Sequence, residues 1–122
     1  DAWLEAVARA PAKPLTWLRV ARARAAQGEE PTQVVDALTL SILTGRVEPT
    51  LLLPRLVLGL LYSEALVEEA RALVSDQALL AWRTQERAFR RALDEGRLDL
   101  SRIESVLGRR SDTIVRALEN PG

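Results

Sequence analysis

The chain has 122 residues, of which 48% are hydrophobic and 28% charged, the range of a single globular domain covering 1–122. Its 17 basic and 17 acidic side chains cancel, so no net field steers it toward nucleic acid or an anionic membrane. With neither Cys nor His in the sequence, disulfide scaffolds, thiol nucleophiles, histidine proton relays and nearly every zinc site are excluded.

Aromatic residues make up only 4% of the chain. Leu, Ala, Arg and Glu favour helix where β-branched and aromatic residues favour strand, so the composition indicates an all-α protein. Proline and glycine punctuate it. Trp3, Leu4, Val7 and Ala10 have helical spacing, and Pro11 and Pro14 end that first helix. Pro14 to Gln27 forms the second, with Leu18, Ala21 and Ala25 on one stripe and Gly28 placed for a left-handed cap. The third starts at Pro31, repeats Val34, Val35, Leu38 and Ile42, and closes at Gly45.

Pro49 to Leu61 is apolar nearly all round, which predicts a central helix, bent at Pro54 if that residue lies beyond the first turn. Ser63 is placed to cap a fifth helix over Glu64 to Val74, with Leu66, Ala70 and Leu73 inward. Ser75 or Asp76 then caps the sixth and longest, reaching Glu95, with Leu79, Leu80, Trp82, Phe89 and Leu93 as its buried face. Two short helices complete the chain. One runs from Leu100 to Leu107 under an Asp99 cap, the other from Asp112 to Asn120 under a Ser111 cap. Connections of two to six residues make successive helices antiparallel neighbours. The expectation is about eight short helices in stacked antiparallel hairpins, a helical-repeat-like bundle with Trp17 and Trp82 buried.

Trp17, Val20, Ala21 and Gly28, followed by Val35 and Leu38, resemble one tetratricopeptide unit, whose first helix carries small residues where its partner crosses. The likeness covers about a quarter of the chain and departs from the pattern at Glu29, Glu30 and Pro31, which lengthen the turn, and at Arg24, where the family usually has an aromatic. It implies a degenerate helical hairpin. The run Ser41 to Arg55 is also similar to segments of small helical envelope proteins of polysaccharide-producing bacteria. That likeness, with a chain that begins at Asp1 and lacks Met, favours a periplasmic or envelope-associated location after N-terminal processing over a cytoplasmic one.

The residues that carry chemistry are sparse. No phosphate-binding glycine loop, nucleophile elbow or calcium loop occurs. Acidic doublets stand at Glu29 and Glu30, Glu68 and Glu69, and Asp94 and Glu95, but helix neighbours point about 100° apart and rarely converge on one atom. No catalytic residue, metal or cofactor is expected. Candidate interaction residues are the arginines of the sixth helix, Arg83, Arg87, Arg90 and Arg91, which at i, i+4, i+7 and i+8 fall on one face. Their plain alternative role is pairing along the helix, Glu86 with Arg90, Arg90 with Asp94 and Arg91 with Glu95. Arg46, Glu48 and Arg55 form a second candidate point at the corner before the central helix. At the C-terminus, Leu98 to Asn120 resembles a helix-turn-helix, which would put Arg109, Arg110 and Arg116 near DNA. Glu104 stands where such motifs usually have a small residue for helix contact, and Asp112 and Glu119 put negative charge on the reading helix, which opposes that reading. The expected function is a non-catalytic protein-interaction or accessory module with a protein partner or a second copy of itself, and a DNA-binding regulator is the alternative.

Overall fold

The computed structural model describes residues 13–120. Among these residues there are seven α-helices and no strand. They are α1 (Pro14–Ala26), α2 (Pro31–Thr44), α3 (Pro49–Leu61), α4 (Glu68–Thr84), α5 (Glu86–Asp94), α6 (Leu100–Leu107) and α7 (Asp112–Glu119), with short 3-10 turns at Ser63–Ala65 and Gly108–Ser111. The all-α class is as the composition predicts. The helix expected over Ala2 to Ala10, with Trp3, lies outside the described residues.

Three helices begin at proline, whose fixed φ suits the first turn and whose missing N–H is needed by no helical carbonyl there. α1 ends at Gly28, where φ is 70°. A side chain there would crowd the backbone, and glycine lets Glu29 N–H reach back to the Arg24 carbonyl at 3.0 Å. The chain therefore turns within four residues and brings α2 back along α1. Arg24 Nη1 donates to the Gln33 carbonyl at 2.8 Å at one end of the pair, and Ser41 Oγ donates to the Pro14 carbonyl at 2.7 Å at the other. The two helices are thus antiparallel.

α3 and α4 are antiparallel as well, since Gln85 at the end of α4 donates through Nε2 to the Pro49 carbonyl at the start of α3, at 2.7 Å. They approach closely at Gly59. A Cβ there would lie 3.0 Å from Val74 Cγ1, so a side chain at this crossing would push Val74 aside by a few tenths of an ångström. Leu38 and Ile42 of α2, Leu52 and Leu56 of α3, and Val74 and Ala78 of α4 form the centre of one continuous apolar core. α6 closes the far end through hydrogen bonds from Arg102 Nη1 to the Leu60 carbonyl at 3.0 Å and from Ser75 Oγ to the Val106 carbonyl at 3.3 Å.

The structure redraws the boundary between the expected fifth and sixth helices. No break occurs at Ser75 or Asp76, because the Ser75 hydroxyl is used across the core on Val106 and caps nothing. The break falls ten residues later, at Gln85, where φ and ψ are −137° and 43°. Just before it, the Thr84 hydroxyl bonds back to the Leu80 carbonyl at 2.7 Å, a side-chain bond that competes with the helical ladder. Gln85 itself is pinned to Pro49. Trp82 and Phe89 then pack edge to face across the bend, with ring centroids 5.3 Å apart.

Other expectations are also revised. Ser63 opens a 3-10 turn, and α4 starts only at Glu68. Ser111 caps nothing, because it has helical backbone angles and its hydroxyl donates to the Gly108 carbonyl at 2.7 Å. Asp99 does cap α6, accepting from Ser101 N–H at 2.9 Å. Trp82 is buried, whereas Trp17 is only half-buried. Pro54 lies inside α3, past the first turn, and can give no hydrogen bond to the Thr50 carbonyl. No helix of the described residues is long and apolar enough to cross a membrane.

Candidate functional site

The strongest polar constellation lies inside the protein, under the corner between α2 and α3. α3 is otherwise apolar on its inner face, yet Arg55 sits on that face between Leu52 and Leu56 and is fully buried, at 0% exposure. A guanidinium without water needs partners for a fork of N–H donors. Arg55 Nε donates to Ser41 Oγ at 3.0 Å, Nη2 to the Ser41 carbonyl at 2.6 Å, and Nη1 to Gln77 Oε1 at 2.9 Å. The partners are themselves tied down. Ser41 Oγ donates onward to the Pro14 carbonyl, and Gln77 Nε2 donates to the Arg46 carbonyl at 2.8 Å. One side chain on α3 thereby links the start of α1, the end of α2, the α2–α3 loop and the middle of α4.

No carboxylate lies within ion-pairing distance of Arg55 among the described residues. Burial therefore dominates its ionisation and pulls the guanidinium down to about 10, while the negative charge of Glu48 works in the opposite direction. The group keeps its charge at neutral pH. Among the described residues, every buried side-chain nitrogen and oxygen has a hydrogen-bond partner. The chemistry of this network is therefore internal, since its donors and acceptors are occupied by one another.

The sequence placed Arg46, Glu48 and Arg55 together at this corner as a surface point. The structure brings them together in a different sense: Arg55 is beneath the surface, Arg46 contributes its backbone carbonyl, and its side chain, like that of Glu48, is exposed. Ser41 and Gln77 were missed. Ser41 interrupts the apolar run Leu40-Ser41-Ile42, and Gln77 stands three and four residues after Val74 and Leu73 on the inward stripe, so a polar residue at an inward helical position was the available signal.

The four arginines expected on one helix are divided by the bend at Gln85. Arg83 ends α4, whereas Arg87, Arg90 and Arg91 belong to α5. Arg83, Arg87 and Arg91 are exposed. Arg90 is held in place by Glu86 at 3.0 Å, by the Trp82 ring 5.2 Å beneath its guanidinium, and by the Ala117 carbonyl of α7 at 3.5 Å. Of the three ion pairs expected here, only Glu86 with Arg90 forms. Glu95 turns instead to Arg97, at 2.7 Å. In the C-terminal segment Arg109 and Arg116 are exposed, while Arg110 pairs with Asp76 of α4 at 2.7 Å. The acidic doublets at Glu68 and Glu69 and at Asp94 and Glu95 lie on the surface. No group of three acidic side chains among the described residues is arranged to hold a metal ion.

No protein-family model matches the chain, and neither the curated proteins nor the solved structures contain a significant match to it.

Proposed function

We propose that this domain is a non-catalytic interaction or accessory module, built from stacked helical hairpins of which Pro14 to Thr44 is the tetratricopeptide-like unit. The observation that carries this reading is the division of labour among side chains. The buried polar groups hold helices to one another, while large apolar groups are left in water, with Leu61 at 62% exposure and Val67 at 58% on either side of the Ser63–Ala65 turn. Exposed apolar surface of this kind is stabilised when a partner covers it. The partner is another protein or a second copy of the chain.

The test is a photo-crosslinking amino acid placed at position 61 or 67 of the full chain in its native cell, with light scattering on the purified protein. The reading expects one defined adduct or a concentration-dependent dimer, weakened by Leu61→Glu. A monomer at all concentrations that forms no defined adduct from either position overturns it.

A further inference from the structure

At the other end of α3 the surface is chemically uneven. A groove of about 700 Å3 runs between the first half of α1 and the start of α3. Its floor is apolar, made by Leu15, Leu18, Leu51 and Pro54. Leu15 is 42% exposed, high for a residue of its size beside a core. Its rim is cationic, with Lys13, Arg19 and Arg22 all exposed. None of these three has an acidic side chain within ion-pairing distance among the described residues, and Glu48 is the one acid lining the groove.

The α1 wall has a helical repeat. Leu15, Arg19 and Arg22 stand at i, i+4 and i+7, so its ridges match the spacing of side chains on another helix. From Lys13 to Arg22 the wall is about 14 Å long, the length of roughly nine helical residues.

We infer that this groove docks an amphipathic helix of a protein partner, two to three turns long, whose apolar stripe covers Leu15 and Leu51 and whose acidic flank meets Lys13, Arg19 and Arg22. The inference rests on the interaction-module reading and gives it a site and a partner chemistry. Apolar burial supplies the attraction, and three cations facing one acid select a negative flank over a positive one. The charges govern encounter rate and partner choice more than overall affinity.

The experiment is an amide NMR titration of the full chain with two synthetic peptides of about 14 residues, long enough to span the wall. Both carry leucines at helical spacing; one has glutamate flanks and the other lysine flanks. The glutamate peptide is expected to shift amides in residues 15–22 and 50–53 and to bind more weakly as salt is raised. The lysine peptide is expected to leave these signals in place. Arg19→Glu with Arg22→Glu should weaken the glutamate peptide by about tenfold or more, and Leu15→Asp, at an exposed position, should weaken it without touching the charges. If the double variant unfolds, Leu15→Asp decides alone.

Shifts confined to the Leu61 and Val67 region refute this groove while leaving the interaction reading intact. No shift with either peptide refutes the groove, and the crosslinking result separately decides the broader reading. Binding that appears only after residues 1–12 are removed identifies the chain's own N-terminal segment as the occupant and overturns an external partner. Binding to vesicles of anionic phospholipid that is lost in the same double variant overturns it in favour of a membrane surface.

Discussion

Replacing Arg55 by alanine removes the cation that joins four segments, and the effect can be worked from its surroundings. Three hydrogen bonds from a charged donor contribute roughly 1.5–3 kcal/mol each, about 5–9 kcal/mol together. Against this stands the burial of the charge. Burial depresses the guanidinium to about 10, so the folded site disfavours the charge relative to water and offsets part of that gain. The arginine remains a net stabiliser, by less than its hydrogen bonds alone contribute. Its removal also leaves the Ser41 carbonyl and Gln77 Oε1 buried with a partner missing, and opens a cavity. We expect Arg55→Ala to lower the unfolding free energy by about 3–5 kcal/mol in a urea titration. Apolar replacement of the whole network, Arg55→Met with Ser41→Ala and Gln77→Leu, should recover part of that loss, because no buried side-chain polar atom of the three is left without a partner, while the Pro14 and Arg46 carbonyls lose a donor. A single variant within about 1 kcal/mol of the parent would refute the reasoning, since it would mean that the network contributes nothing beyond its own desolvation.

The same side chain gives a signed pH dependence. Its pKa is lower folded than unfolded, so above about pH 10 the unfolded chain binds more protons and this group's contribution to stability rises with pH. The gap between the parent and Arg55→Met should therefore widen in the parent's favour above about pH 10, and a gap that stays constant or narrows contradicts the assignment. Gly45→Ala would put a Cβ 2.7 Å from Pro14 Cγ, where a proline ring at the start of α1 has little room to move. It should destabilise by about 1–3 kcal/mol and speed amide exchange in α1, and an unchanged denaturation midpoint would show that the α1–α2 contact yields freely. The Asp99 carboxyl is held below the usual carboxylate range by its bond to the Ser101 hydroxyl and then by the Ser101 backbone N–H. Its contribution is present above the ordinary carboxylate pKa and is lost as pH falls through the lowered one. Asp99→Ala should therefore melt at a lower temperature than the parent near neutrality, with the difference closing in acid, and a difference independent of pH would disprove the capping role.

Much of the chain could be read before any coordinates. The starts of α1, α2 and α3 follow from Pro14, Pro31 and Pro49, and the ends of α1 and α6 from Gly28 and Gly108, because these residues restrict or permit backbone angles by their own covalent structure. Such effects need no neighbours, so they survive in a one-dimensional string. The Asp99 cap is equally local, since its partner is two residues away. The inward stripe of Val34, Val35, Leu38 and Ile42, and the inward Leu66, Ala70 and Leu73, followed from periodicity, which reports a helix's wet and dry sides without saying what covers the dry one.

Serine and glutamine behaved differently. Ser75 looks like a cap in isolation, yet its hydroxyl donates to the Val106 carbonyl, which only the folded chain brings within reach, whereas Ser111 is kept from capping locally, by its helical backbone angles and its bond to the Gly108 carbonyl three residues back. Gln85 ends a helix through Pro49, a residue 36 positions away. Local covalent geometry and hydrophobic period thus determined an all-α chain and most of its helix boundaries. Tertiary structure alone decided which polar side chains turn inward, and it made Arg55 an internal clasp: a buried charge is tolerated only where Ser41 and Gln77 arrive together to accept its hydrogen bonds.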